Sequence, residues 1–445
     1  MTKLWDKGYE PNKEIEKFTV GNDYILDKGL VKWDCIGSIA HASMLKKIGI
    51  LKNNEFLQLK KELKKIISDK NFKIKIEDED VHTAVENYLT KKLGSLGKKI
   101  HTCRSRNDQV LVDTRLYSKD KLLTIKNNLL GLINALVKFA EKNKEIPMPG
   151  YTHTQKAMPS SVGLWAGAHA EALLDDLKVL NTAYDINNQC PLGSAAGYGV
   201  PLNIDRQHVS DLLGFGKVQN NVIYVQNSRG KIGSIVLSAL TQIMLDIGKL
   251  ANDLVLFSTV EFGYFRLPKE FCSGSSIMPQ KVNPCVLELT RGKVSIMEGY
   301  LFQVQNIIKN LYSGYNRDLQ LTKEPLMKGL ELAEDTTKII ELVINGVKVN
   351  KEDCIKACTP EIFATDYALE VVLGGTPFRD AYKKVAANID KLKAMDPVKT
   401  IKSRKHLGST GNLGLDKIKS KINSEKKAWD KEKGSFEGKL KKLLQ

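Results

Sequence analysis

The chain has 445 residues, of which 42% are apolar and 27% charged, with 33 Gly and 13 Pro. Those values exclude a disordered, low-complexity or collagen-like protein and leave room for a sizeable core, in two to four domains of roughly 150 residues or one large helical one with appendages. The net charge is +17, but residues 399–445 alone hold 14 Lys or Arg against 5 Asp or Glu, a net of +9; this is Lys interleaved with Glu around one Trp429, the pattern of a solvated helix face rather than of a nucleic-acid stripe.

No stretch approaches 18 uninterrupted apolar residues, and the first 18 residues lack the apolar segment of a signal peptide. The expectation is a soluble, cytoplasmic protein that meets neither membrane nor nucleic acid. Seven cysteines occur without a C-x-x-C pair and seven histidines without an H-E-x-x-H motif, so reduced thiols and no metal site or cofactor are expected.

Proline interrupts a helix interior at a cost of about 3 kcal/mol, and none occurs between residues 12 and 146. Segments near 112–143 and 160–188 read as long helices. NVIYV at 221–225 is the best of few strand signals. Apolar residues then recur at Ile232, Ile235, Val236, Ala239, Leu240, Ile243, Ile247, Leu250 and Leu254, which predicts a helix over 227–262, about 50 Å long at 1.5 Å per residue. A further rod at 285–312 carries Leu287, Val294, Leu301, Val304, Ile308 and Leu311. An all-α bundle of long helices follows.

Four polar segments punctuated by Gly or Pro lie between the rods: 101–108 (HTCRSRND), 149–159 (PGYTHTQKAMP), 272–284 (CSGSSIMPQKVNP) and 315–325 (YNRDLQLTKEP). Loops and helix ends are where rigid scaffolds carry chemistry. In 272–284, serine hydroxyls, turn N–H groups, Lys281 and Asn283 suit an anionic ligand, although Ser-Gly clusters are also ordinary linkers. In 101–108, two guanidiniums offer bidentate carboxylate recognition, while Ser105, Asn107 and Asp108 are equally good helix caps. His153 reads either as an acid–base group or as a satisfied loop histidine.

GSSIMPQKVNP at 274–284 resembles the signature of the fumarase/aspartase superfamily. HTCRSRNDQV at 101–110, GYTHTQKAMP at 150–159, YNRDLQLTKEP at 315–325 and ATDYALEVVLGGTPFRDAY at 364–382 are similar to its argininosuccinate lyase branch. The likeness runs from KLW at 3–5 and EKFTVGNDYILD at 16–27 to near the end of the chain.

The resemblance implies three domains, 1–103, a central long-helix domain over 104–353 and a small C-terminal one over 354–445. It also implies a homotetramer with a shared helical core and active sites built from three subunits. Long apolar rods on one chain agree, since association is the natural way to cover them. The activity implied is elimination of fumarate from argininosuccinate to leave arginine, the last step of arginine biosynthesis.

By the same resemblance Ser275 is the general base, with Lys281 and Asn283 stabilising the charge that develops, and Glu288 is the carboxylate partner that orients His153. Ser105, Arg106, Asn107 and Thr152 match substrate-binding positions. Tyr315, Gln320 and Lys323 match those that read the arginine end, and Asp27 matches an acidic position there. The pattern usually has glycine at 103, aspartate at 285 and serine at 23, where this chain has Cys103, Cys285 and Asp23. A lyase for another N-substituted aspartate such as ethylenediamine disuccinate, and a crystallin-like protein without activity, are the alternative readings. Tyr315, Gln320 and Lys323 argue against the first, and the intact Ser275, Lys281, His153 and Glu288 set against the second.

Overall fold

Ser105 closes one polar segment and opens the longest helix of the computed structural model, Arg106–Lys142, in a structure that describes residues 12–445. The KLW of 3–5 lies outside the described residues. Ser105 Oγ accepts the Asn107 N–H at 3.2 Å, and Asp108 accepts the Ser105 N–H at 2.9 Å. This reciprocal box satisfies donors that a helix start leaves unpaired. With 37 residues, the helix runs about 55 Å.

Four more long helices complete a bundle: Val162–Asn187, Lys231–Phe257, Cys285–Ile308 and Lys323–Gly346. Arg106–Lys142 packs on Val162–Asn187 and Lys323–Gly346, while Lys231–Phe257 packs on the other three. The spacing read from the sequence reappears as burial, with Val236, Ala239, Leu240, Ile243, Ile247, Leu250 and Leu254 all removed from solvent. Lys231–Phe257 is long and apolar enough to cross a membrane by length and composition, but 67% of its apolar window is buried inside the protein.

The predicted 227–262 helix is shorter than expected and starts later. Gly230 takes φ 77°, and a Cβ there would meet Ile308 Cγ2 at 2.4 Å; only glycine accepts both conditions. The chain turns at this point and the long helix begins at Lys231. NVIYV is a correction too: Val222–Asn227 is helical, capped by Asn221, whose Oδ1 accepts the Tyr224 N–H at 2.9 Å. The cap and tertiary burial of Val225 override the β preference of the branched residues. Strands among the described residues form three two-stranded sheets, of which the hairpin Pro147–Thr152 with Gln155–Ser161 is the longest.

The basic tail is a structural helix, Leu415–Leu444, lying antiparallel on Arg106–Lys142. Lys119 Nζ meets Glu432 at 3.1 Å and Lys126 Nζ meets Glu425 at 2.7 Å. Both lysines are buried, and Lys126 also sits 4.1 Å from the Trp429 ring centroid. Trp429 Nε1 donates to the Leu123 carbonyl at 3.1 Å. All seven cysteines are free.

Candidate active site

One end of the bundle gathers the starts of Arg106–Lys142, Lys231–Phe257 and Lys323–Gly346 and the segment that follows Cys285–Ile308. A cleft of about 100 Å³ opens there, lined by Arg106, Asn107, Tyr315, Gln320 and Lys323 together with Asp23, Asp80, His82, Arg229 and Arg317. That volume suits one end of a ligand rather than a whole drug-sized molecule.

Several of these side chains are already engaged. Lys323 is buried, with Nζ 2.5 Å from Asp27 Oδ1 and 3.1 Å from Asp23 Oδ1. Burial alone pulls its pKa down, but the two carboxylates outweigh it and hold the ammonium above its ordinary range. Asp27 is buried and also accepts the Val81 N–H at 3.0 Å. Arg106 bridges Glu79 and Asp80, each at 3.0 Å. Gln320 Nε2 donates to the carbonyls of Thr19 and Val20 at 3.2 and 3.1 Å. Ser105 serves the helix cap.

The opposite end carries the other predicted residues. In 272–284, Ser273 and Asn283 pair their backbones, with N–H···O distances of 3.0 and 2.8 Å, and so close the neck of the loop. Ser275 Oγ accepts the N–H groups of Met278 at 3.0 Å and Ile277 at 3.3 Å. Asn283 Nδ2 donates to the Gly274 carbonyl at 3.2 Å. Lys281 is exposed, as is Glu288 in the first turn of Cys285–Ile308.

Thr152 pairs with Gln155 across the hairpin, so His153 and Thr154 form its two-residue turn. Both have positive φ, 53° and 58°, as a type I′ turn requires, a conformation that favours Asn and Gly. His153 therefore stands in the left-handed region at an exposed tip.

The single chain keeps these groups apart. Ser275 and Tyr315 lie beyond opposite ends of Cys285–Ile308, whose 24 residues span about 36 Å. Arg106 and the hairpin flank Arg106–Lys142, about 55 Å long. Ser275 therefore does not reach the Tyr315 and Lys323 cleft of its own chain.

Three residues could hold a metal among those described: Asp34, His82 and Asp113, all buried, with ligand atoms within 4.8 Å of one another. His82 Nδ1 already lies 2.7 Å from Asp34 Oδ1 and 3.6 Å from Asp113 Oδ2. Burial and the neighbouring Asp34 push the Asp113 carboxyl well above the usual range. The geometry is that of a histidine clamped between two acids at the floor of the cleft.

Arg229, His82 and Asp80 lie in the cleft although no loop motif marked them, and Arg317 lies there from within the 315–325 segment without having been singled out. Arg229 stands in an SRG turn that is silent in the apolar pattern, yet its guanidinium lies 5.2 Å from the Tyr315 ring centroid. The clue was a lone arginine just before a long apolar helix.

A family model described as a lyase matches residues 13–299. The chain is 46% identical over 387 residues to the argininosuccinate lyase of Thermotoga neapolitana, covering 86% of this chain and 97% of that one. It is 44% identical over 424 residues to that of Sorangium cellulosum, covering 94% and 98%. Its fold is that of ethylenediamine disuccinate (EDDS) lyase solved with formate, with a TM-score of 0.80 at 22% identity over 98% of this chain and 95% of that one. The class II fumarase of Schistosoma mansoni shares it at 0.72 and 16%, over 88% and 95%. The lyase family model and these relatives make the chain a lyase of the fumarase/aspartase type, and the long-helix bundle agrees. Within that superfamily, the chain belongs to the argininosuccinate lyase family.

Proposed function

We propose that the protein eliminates fumarate from argininosuccinate to release arginine, the final step of arginine biosynthesis. The observation that carries this reading is identity above 40% to argininosuccinate lyases along nearly their whole length. The arrangement of the cleft supports it, since acidic and basic groups at one bundle end suit an amino-acid terminus.

The chemical difficulty is a weakly acidic C–H next to a carboxylate. Ser275 removes that proton and a dianionic aci-carboxylate forms; the C–N bond then breaks as the guanidine takes up a proton. A serine hydroxyl is a poor base in water. The N–H groups of Ile277 and Met278 on Ser275 Oγ supply an alkoxide with fixed donors, and Lys281 and Asn283 add charge stabilisation once the loop closes over the substrate. His153, with Glu288 from elsewhere in the assembly, relays protons. Each of these roles is part of the proposal.

The reading requires association. Leu289 and Phe302 of Cys285–Ile308 are 66% and 68% exposed in the single chain, and burying such a side chain contributes about 1.5–3 kcal/mol. We infer a homotetramer in which the Ser275 loop of one subunit meets the Tyr315 cleft of another, which answers the separation of about 36 Å along one helix.

Two measurements test this. Purified protein given argininosuccinate releases fumarate and arginine in equal amounts; absence of either product contradicts the activity. Mixing the inactive variants Ser275→Ala and Arg106→Ala under conditions of subunit exchange restores part of the activity if sites are shared, whereas mixtures as inactive as their parents contradict sharing.

A further inference from the structure

The hairpin that carries His153 has little to hold it by itself. Pro149 faces Pro159 across it, and the register shifts between Pro149 and Tyr151. A two-stranded ribbon on its own is marginal in water, and a proline has no N–H to give to a neighbour. Support comes from outside. Tyr151 Oη lies 2.6 Å from Tyr264 Oη, and the short helix Pro397–Ser403 packs against both strands.

Arg404 directly follows that helix. Its Nη1 donates to the carbonyl of buried Pro159 at 2.7 Å, and its Nη2 donates to both oxygens of Asp366 at 2.8 and 2.9 Å. Asp366 stands in the first turn of the helix Ala364–Leu373, so one guanidinium ties the second hairpin strand to a helix remote in sequence. The backbone of Arg404 is fixed as well. Its carbonyl accepts the Gly411 N–H at 3.0 Å and the Ser409 hydroxyl at 2.5 Å, and a Cβ added at Gly411 would meet that carbonyl oxygen at 2.6 Å. A planar guanidinium gives donors in two directions at once, which a lysine ammonium on its flexible stem does not match.

We propose that Arg404 is a positioning residue for His153, holding the base of the hairpin so that its tip is aimed. This rests on the lyase reading above and on the proton relay assigned to His153 there. From Pro159 to His153 the strand runs about 20 Å, at roughly 3.3 Å per residue. Play of about 3° at the base therefore moves the tip by about 1 Å, a misplacement that can cost on the order of 10² in rate.

The test follows fumarate release from argininosuccinate by full-length variants in their native assembly, beside amide hydrogen exchange of the unliganded proteins. Arg404→Lys should lower kcat about 10- to 100-fold with KM within about threefold. It should also speed exchange within the hairpin about tenfold while leaving Arg106–Lys142 unchanged. In a His153→Asn background the same change should cost less than about twofold in kcat, because no imidazole is left to misplace. Asp366→Asn, close in volume to the native side chain, loosens the clamp from its other end and should follow Arg404→Lys; it carries the comparison if Arg404→Lys does not fold. An equal loss of kcat with and without His153, or hairpin exchange unaltered by both variants, overturns the assignment and leaves Arg404 a packing residue. A wild type that releases no fumarate contradicts the lyase reading, a distinct outcome, and hairpin exchange then still decides whether Arg404 holds the hairpin.

Discussion

Met278 donates its backbone N–H to Ser275 Oγ at 3.0 Å. The serine therefore sits as an acceptor inside its own turn before any substrate arrives, the arrangement that lowers the cost of an anionic oxygen. Ser275→Ala keeps the turn residues and the neck at Ser273 and Asn283, so the protein should fold and assemble as the wild type does. Turnover should fall by roughly 10²–10⁴, the usual worth of a positioned general base. Steady-state rates with size-exclusion chromatography check this, and activity within a few-fold of wild type would move the base elsewhere.

His153 separates turn geometry from chemistry. Asparagine accepts positive φ more readily than histidine. His153→Asn should therefore melt no lower than wild type and still lose about 10² or more in kcat, whereas His153→Val should lose both stability and activity. Thermal melts beside rates decide it: a His153→Asn enzyme of normal activity would make the histidine a turn residue only.

Asp176 supplies a pH dependence. Burial, with Asp246 beside it, pushes the Asp176 carboxyl up to about 7, against an unfolded value near 3.9. A raised folded pKa gives a stability contribution that is full below about pH 4 and lost as pH rises through about 7. Asp176→Asn removes the charge, so its melting temperature relative to wild type should be more favourable at pH 8 than at pH 5. An equal difference at both pH values would show that Asp176 does not titrate in this range.

Much of this was legible from the residues alone, and the reasons differ by element. Pro-free apolar rods and the four polar segments between them are local properties, so the bundle and most of its breaks could be read directly. The turn at Gly230 could not, because its cause is Ile308, 78 positions away. The lysines of Leu415–Leu444 look solvated in the sequence, and many are, but Trp429 and Phe436 on the other face are buried, and the partners of Glu425 and Glu432 are some 300 residues distant. The corner of Asp23, Asp27, Arg229 and Lys323 is likewise a meeting of three remote segments.

Cys103 stands at a backbone position that favours the glycine of the family pattern, and nothing in the structure explains the cysteine. It has φ 64°, where the pattern has glycine, and an L-residue in that region costs about 1–2 kcal/mol. Cys103→Gly should melt at or slightly above the wild-type temperature, since the relief of strain exceeds the roughly 0.5–1 kcal/mol entropic cost of glycine. Cys103→Val should melt several degrees lower. A clear loss of stability in Cys103→Gly would mean that the thiol itself contributes packing there.

The central claim is that this lyase acts on argininosuccinate, and the most direct measurement offers argininosuccinate, adenylosuccinate and aspartate side by side to the wild-type protein while fumarate is followed by its ultraviolet absorbance. A site built to pair a zwitterion's charges leaves buried polar groups unsatisfied when that end is missing, so aspartate should be rejected by roughly 10⁴ or more in kcat/KM. Argininosuccinate alone should be turned over rapidly. Comparable turnover of aspartate or adenylosuccinate would contradict the substrate assignment.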